Sequence, residues 1–220
     1  MFWQEEQEEE QFTVPDDVID LAFSIKCRTL PVDHAAALAD AVVRELPWLG
    51  EEPEAGIHAI HTADSGNGWE RPSGADDILY LSRRTKLILR MPRERAAEAT
   101  EALSGKTLDV EGNAMEVGKA DERLLAQTTT VYSRYVVAGG DEAEDAFISR
   151  TVEELKSRRL QFKKVLCGKS FVINMADGPV TTRSLLVADM PFIDAVRLQE
   201  QGVGPHRTMG CGLFIPHKTV

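Results

Sequence analysis

The chain has 220 residues, of which 43% are hydrophobic and 28% charged, and a formal net charge of −11 at pH 7. That length and apolar content suit one large domain or two small ones with a substantial buried core. No apolar run approaches the roughly 20 residues of a membrane span, and the opening MFWQEEQEEEQF is acidic where a signal peptide is basic, so a cytoplasmic protein without a membrane partner is expected.

Residues 1–12, with Glu5, Glu6, Glu8, Glu9 and Glu10, read as an acidic, solvated tail. Beyond it the hydrophobic period changes in a regular order. VIDLAFSIKCRTL alternates as a strand, and VDHAAALADAVVREL places Ala37, Leu38, Ala41, Val42 and Leu46 along one side of a helix. GIHAIHTA predicts a strand and ILYLSRRTKLILRMP a long strand or hairpin arm. RERAAEATEALSG predicts a helix closed by Gly105, and TLDVEGNAMEVG a last short strand or hairpin. This is the β-α-β-β-α-β order of a ferredoxin-like unit.

The remaining residues repeat the pattern without evident sequence identity. TVYSRYVV predicts a strand, and the helix after it turns Phe147, Ile148, Val152 and Leu155 toward a core. KKVLCGKSFVINMADGPVTTRSLLVADM holds two strands about an Asp177-Gly178 turn. PFIDAVRLQEQ predicts a short helix with Ile193, Val196 and Leu198 as apolar contacts, and CGLFI a terminal strand. The expected fold class is α+β: two tandem ferredoxin-like (RRM-like) units with antiparallel sheets, at 13–122 and 123–220, the second carrying a C-terminal glycine-rich loop.

That loop has glycines at Gly202, Gly204, Gly210 and Gly212. Glycine costs backbone entropy and is placed where φ must be positive or where something approaches the main chain. A dinucleotide fingerprint needs a strand before the glycines and a helix after them. Here a helix precedes and a strand follows, so no nucleotide cofactor is implied. Cys27, Cys167 and Cys211 are widely separated and odd in number, with neither zinc-site spacing nor a disulfide framework, and read as small core or strand residues.

Net acidity argues against a nucleic-acid partner, but its distribution does not. Past Thr151 the basic residues outnumber the acids, Lys163 and Lys164 among them, and SRRTK adds Arg83, Arg84 and Lys86 in the first half. Both patches could dock a phosphate backbone, and both could equally be solvated faces.

Tandem ferredoxin-like units with a glycine-rich loop between a short helix and the last strand resemble the repeat-associated RNA-binding proteins of CRISPR systems. LQEQGVGPHRTMGCGLFIPHK, LPVDHAAAL, DSGNGWERP and LSRRTKLILR are similar more narrowly to the Myxan-subtype branch of the Cas6 family, the endoribonucleases that cut precursor CRISPR RNA within each repeat. The resemblance implies a metal-independent reaction in which the ribose 2′-hydroxyl attacks the adjacent phosphate, leaving a 2′,3′-cyclic phosphate and a 5′-hydroxyl. It implies no cofactor, a precursor repeat RNA as partner, and other subunits of an interference complex as further ones.

Such chemistry needs a base for the 2′-hydroxyl, an acid for the departing 5′-oxygen and positive charge beside the phosphorane. The family's histidine commonly lies in or just before the first helix, where this chain has His34. Asp33 is a candidate N-cap, which puts His34 in a first turn whose dipole favours a neutral imidazole. His58 and His61, three apart on an expected strand, face opposite sides, so one at most could reach a site. Arg83, Arg84 and Lys86 would grip a repeat hairpin, with Arg84 and Lys86 on one strand face and Arg83 on the other. Lys163, Lys164, Gly204, His206, Arg207, Gly210 and Gly212 complete the candidate RNA contacts, the glycines by admitting phosphate to main-chain donors. The alternative for the loop is a tight connection packed against the first domain. A repeat-RNA-binding scaffold without cleavage and a small-molecule sensor are the competing functions.

Overall fold

The computed structural model describes residues 12–61 and 77–217. The acidic tail up to residue 11, the DSGNGWERP segment at 64–72 and Lys218 lie outside the described residues.

The first half is built on β1 (Val18–Lys26), whose alternation sends Ile19, Leu21, Phe23 and Ile25 into one core. It pairs antiparallel with β5 (Lys86–Pro92) and β7 (Asn113–Leu124). Two edge strands, β3 (Gly56–Ile57) and β6 (Thr107–Val110), complete a sheet of order β3-β5-β1-β7-β6. Helices α1 (Ala35–Glu45) and α2 (Ala96–Leu103) cover its core face, α1 through Leu38, Ala39, Ala41 and Val42.

Three local expectations change here. The strand expected over 18–30 ends at Lys26. Thr29–Pro31 forms a separate β2, which pairs with β4 (Ile78–Tyr80) in a two-stranded sheet of its own. The arm expected over 78–92 is therefore two strands, parted by a turn. The Ser82 hydroxyl accepts the Arg84 N–H at 3.2 Å and the Ser82 carbonyl accepts the Thr85 N–H at 3.1 Å, bonds that compete with a ladder. Finally, His34 rather than Asp33 occupies the N-cap of α1. The Asp33 carboxylate instead accepts the backbone and side-chain N–H groups of Asn174 in the second half.

The second half contains β8 (Val131–Val137), α3 (Glu144–Ser157), β9 (Lys164–Met175), β10 (Gly178–Ala188), α4 (Phe192–Gln201) and β11 (Ile215–Pro216). Its antiparallel sheet has the order β11-β8-β10-β9. The β9–β10 hairpin turns at Asp177-Gly178, where Gly178 has φ of 121°. α3 buries Phe147, Thr151 and Leu155, leaving Val152 half-buried. In α4, Val196 and Leu198 are buried as expected, whereas Ile193 is 38% exposed and Asp194 and Gln199 are buried. Those polar residues hold irregular backbone: Asp194 accepts the Gln161 N–H at 3.1 Å, and the Gln199 amide bonds both the N–H and the carbonyl of Ala126. The terminal strand shrinks to Ile215–Pro216, because Gly210 and Gly212 take φ of 82° and 65°, which no extended strand accommodates.

The halves are joined by two reciprocal arginines. Arg90 of β5, 1% exposed, bonds the Asp20 carboxylate at 2.9 and 3.0 Å and donates to the carbonyls of Gln199 and Phe214, each at 2.8 Å. Arg207 of the glycine loop donates the other way, to Ala55 and Glu54 at 3.1 and 3.0 Å, and to Glu200 at 2.8 Å. Burial, with Arg90 nearby, lowers the Arg207 guanidinium to about 10, still charged at neutral pH. His58 Nε2 lies 3.2 Å from Asp20. Burial works to raise the Asp20 carboxyl, but the Arg90 charge and His58 hold it well below the usual carboxylate range. Burial lowers His58 despite Asp20, so its ring is neutral at pH 7.

Something does approach the loop glycines, and it is this chain. A Cβ on Gly212 would stand 2.1 Å from the Val203 carbonyl oxygen, one on Gly202 2.4 Å from the Gly212 oxygen, and one on Gly210 3.0 Å from Ala59. The Gly212 N–H donates to the Tyr135 carbonyl at 2.6 Å. The expectation of phosphates against Gly212 and Arg207 is corrected accordingly: both face inward, and the loop packs on the first half, while Gly210, close against Ala59, also lines a cleft between the sheets. Gly204 and His206 alone of the proposed loop contacts stay at its exposed tip.

Arg90→Leu would strand the Asp20 carboxylate in a buried site and should destabilise the protein by about 3–5 kcal/mol, read as a lower urea midpoint. Gly212 and Gly204 have similar positive φ, but a Cβ at Gly204 meets nothing within 4 Å. Gly212→Ala should therefore lower the melting temperature roughly 5–10 °C further than Gly204→Ala. Because folding depresses His58 below its ordinary 6.5, the unfolded chain binds more protons below that pH, and stability falls as pH drops from 6.5. His58→Gln should flatten that stretch of a melting-temperature profile recorded from pH 7 to 5.

Candidate nucleic-acid interface

A cleft of about 520 Å³ opens between the two sheets, on the faces away from their helices. Arg84 reaches it from the 82–85 turn, Lys86 from the start of β5, Arg123 from the end of β7 and Arg134 from β8. Tyr132, Tyr135, His58 and His61 line it with them, over Ile88, Leu213 and Ile215. A β-bulge sets part of this arrangement. Ser133 pairs with Leu185 and Val136 with Arg183, so two residues of β8 oppose one of β10, and the consecutive Arg134 and Tyr135 both reach the cleft.

Its charge is one-sided. Among the described residues, Arg84, Lys86, Arg123 and Arg134 make no ion pair and no side-chain hydrogen bond, whereas Lys26, Arg93, Arg95, Lys106, Arg150 and Lys164 are each paired with a carboxylate. Among the described residues, no carboxylate lines the cleft. Four cations without a carboxylate partner among the described residues, set between low-dielectric walls in a chain of net charge −11, concentrate positive charge that the total conceals.

Both His58 and His61 belong to this cleft. The expectation that they face opposite sides assumed a continuous strand, but β3 ends at Ile57 and alternation ends with it. The His61 ring packs on Tyr135 at 5.6 Å, and Tyr135 meets Phe171 edge-on at 5.4 Å. His34 is placed differently. It is 2% exposed, its Nδ1–H donates to the Pro31 carbonyl at 2.8 Å, and its Nε2 accepts the Ile60 N–H at 3.2 Å. A carbonyl can only accept, so these bonds fix the neutral Nδ1–H tautomer and pin the segment carrying His58 and His61 to the start of α1.

Other predicted contacts scatter. Arg84 and Lys86 share the cleft, and Arg83 turns to a second cavity, as alternation implied, although the turn rather than a strand parts them. Lys163 and Lys164 are exposed at the start of β9, with Lys164 3.1 Å from Asp189. β10 stands between that strand and β8, which carries Tyr132 and Arg134, and neither lysine is among the residues lining the cleft. Sequence reasoning missed Arg123 and Arg134, which stand in separate strands with no local motif; only strand pairing and the bulge bring them together.

Among the described residues, no group of three or more His, Cys, Asp and Glu side chains could hold a metal ion, and no helix is long and apolar enough to cross a membrane. The cysteines are free; burial raises all three thiols, Cys211 to about 12.

Comparison with known proteins places this architecture. The chain is 28% identical over 198 residues to the CRISPR-associated endonuclease Cas6 of Myxococcus xanthus (strain DK1622), a match covering 90% of this chain and 81% of that protein. Among solved structures it superposes on a RAMP protein described as binding different RNA substrates, with a TM-score of 0.66 at 14% identity, covering 89% of this chain and 98% of that one. A CRISPR associated protein Cas6 gives 0.62 at 12% identity, covering 91% and 100%. The family model described as Cas6 Crispr matches residues 19–219, nearly everything beyond the acidic opening, and the chain therefore belongs to the Cas6 family.

Proposed function

We propose that this chain is a Cas6-family endoribonuclease of CRISPR RNA processing, cutting precursor RNA within its repeats without a metal ion, in the cytoplasm. The observation that carries this reading is the cleft whose four cations have no ion-pair partner among the described residues, beside two tyrosines and two histidines. Cations neutralise phosphates and aromatic rings stack bases, the combination that single-stranded RNA recognition needs. The orders β3-β5-β1-β7 and β11-β8-β10-β9 support two ferredoxin-like units, at 13–122 and 123–220, with the cleft where they face each other. β7 runs to Leu124, two residues into the second.

In the proposed reaction the ribose 2′-oxygen forms a bond to the adjacent phosphorus and the bond from phosphorus to the 5′-oxygen breaks. A base takes the 2′-hydroxyl proton and an acid returns one to the 5′-oxygen. The products are a 2′,3′-cyclic phosphate and a 5′-hydroxyl. Arg84, Lys86 or Arg134 would balance the charge that grows on the phosphorane. His34 is the proton-transfer residue the family resemblance implies; its fixed tautomer presents Nε2 as the acceptor, once the Ile60 N–H withdraws. A second reading is favoured by position: His61 lines the cleft itself, and His34 holds its segment in place.

Single substitutions separate these. If His34 transfers the proton, His34→Ala should slow cleavage at saturating RNA by ~10²–10⁴, below the melting point of the variant, with His61→Ala near wild type. The reverse pattern assigns the proton to His61. Cleavage should survive EDTA and should stop when the nucleotide 5′ to the scissile phosphate carries 2′-deoxyribose; restoration of lost activity by a divalent ion would sink the mechanism. Tight repeat binding by wild type with no cleavage under any condition would leave a binding scaffold. The double variant Lys86→Ala/Arg134→Ala should weaken repeat binding and lower the slope of log affinity against log salt by about 1.4–1.8.

A further inference from the structure

A second cavity, of about 1500 Å³, adjoins the cleft. The turn that ends β4 and begins β5 divides them: Tyr80, Leu81, Ser82 and Arg83 line the larger space, Arg84, Thr85 and Lys86 the smaller. Its other walls are the end of β1, the Cys27–Thr29 link and the β6–β7 hairpin. The Arg28 carbonyl accepts the Leu81 N–H at 2.9 Å, which fixes Arg28 beside Tyr80.

Three features describe what this cavity would take. Tyr80 is 71% exposed, an aromatic face that folding leaves uncovered. Arg28 and Arg83 are exposed and make no ion pair or side-chain hydrogen bond among the described residues, while Glu116, the carboxylate in the lining, is neutralised by Lys26 at 2.9 Å. And the space exceeds the roughly 300–1000 Å³ of small-molecule pockets. An exposed ring with two guanidiniums that lack a carboxylate partner among the described residues, in an open cavity of this size, matches a flexible polyanion with flat bases better than a compact metabolite.

We propose that this cavity holds a single-stranded stretch of the RNA whose neighbouring nucleotides lie in the basic cleft. The strand crosses the Ser82–Thr85 turn, so the consecutive Arg83 and Arg84 bind phosphates on its two sides, a base stacks on Tyr80, and Arg28 meets a further phosphate. This rests on the RNA-processing reading and adds to it a second site and a path between the two.

The test uses the full chain and two probes: a precursor RNA with one repeat and single-stranded flanks on both sides, and the same repeat without flanks. Tyr80→Ala should weaken binding of the flanked RNA about tenfold, and Tyr80→Phe should restore it. Arg28→Ala/Arg83→Ala should lower the salt slope by about 1.4–1.8 for at least one probe. A 4-thiouridine series in the flanked RNA should cross-link to the peptide containing Tyr80. All these side chains are exposed, so unchanged melting temperatures are expected and separate binding from folding. Lys86→Ala/Arg134→Ala, in the cleft, is the control. If wild type does not bind either RNA, the functional reading falls and this site with it. If wild type binds, the cleft control weakens binding, and neither the Tyr80 nor the arginine variants change affinity or slope, the second site is overturned while the function stands. Loss of association with a protein partner in Tyr80→Ala at unchanged RNA affinity also overturns it, in favour of a protein-binding surface.

Discussion

The carboxyl end of α4 is where both arginines that join the two halves meet, and the facing of the two sheets depends on it. The last carbonyls of a helix have no intrahelical partners and carry the negative end of its dipole. α4 has no basic residue in its own last turn. Arg90 takes the Gln199 carbonyl and Arg207 takes that of Glu200, one arginine from each half of the chain. Each has further partners: Arg90 bonds Asp20 on the neighbouring strand and the Phe214 carbonyl, and Arg207 bonds the Glu54 and Ala55 carbonyls of the first half. Planar, multidentate guanidiniums can do this where lysine could not, because several acceptors must be met in one plane. The helix end is thus capped by a clasp that also fixes the separation of the sheets.

The cleft inherits its geometry from that clasp. The glycine loop is bonded to Tyr135 on one wall through the Gly212 N–H and packs on Ala59 of the other through Gly210. It bridges the strand that carries Arg134 and the segment that carries His61. Arg84, Lys86, Arg123 and Arg134 repel one another when no anion is present, and among the described residues no carboxylate in the lining offsets them. Repulsion of this kind favours opening. The buried Arg90–Asp20 pair and the loop hold the walls against it, so the cations stay concentrated where a phosphate backbone would relieve them.

Periodicity made the helices and most strands legible, because α1, α3, β1 and β10 each turn one apolar face to a core and local pattern reports that directly. The failures share a cause. Ser82 and Asp33 are polar residues whose partners lie in turns or in the other half, and pattern cannot see a hydrogen bond to a distant chain segment. The glycines announced a close approach to the backbone correctly but could not say what approached; only the fold shows that Val203, Ala59 and Gly212 do. Arg123 and Arg134 carry no local signal, since their significance comes from a bulge and from strand order. His61 was hidden by the assumption that a strand continues past Ile57.

That short strand gives the site its stiffness. β3 pairs for two residues and then releases the chain, so His58 turns down to Asp20 while His61 emerges into the cleft three residues later. A segment leaving a sheet edge would ordinarily be mobile, having lost its ladder. Here the His58 N–H still reaches the Ile88 carbonyl at 2.9 Å, the Ile60 N–H reaches His34 Nε2, and Ala59 is pressed by the backbone of Gly210. Sheet, first helix and glycine loop each supply one constraint, and together they hold four consecutive residues without regular secondary structure. Charge stabilisation and proton transfer both depend on groups placed before the reaction starts. The permissive loop at the end of the chain therefore serves rigidity: its glycines let the backbone come close enough to Ala59 to lock the wall on which His61 stands.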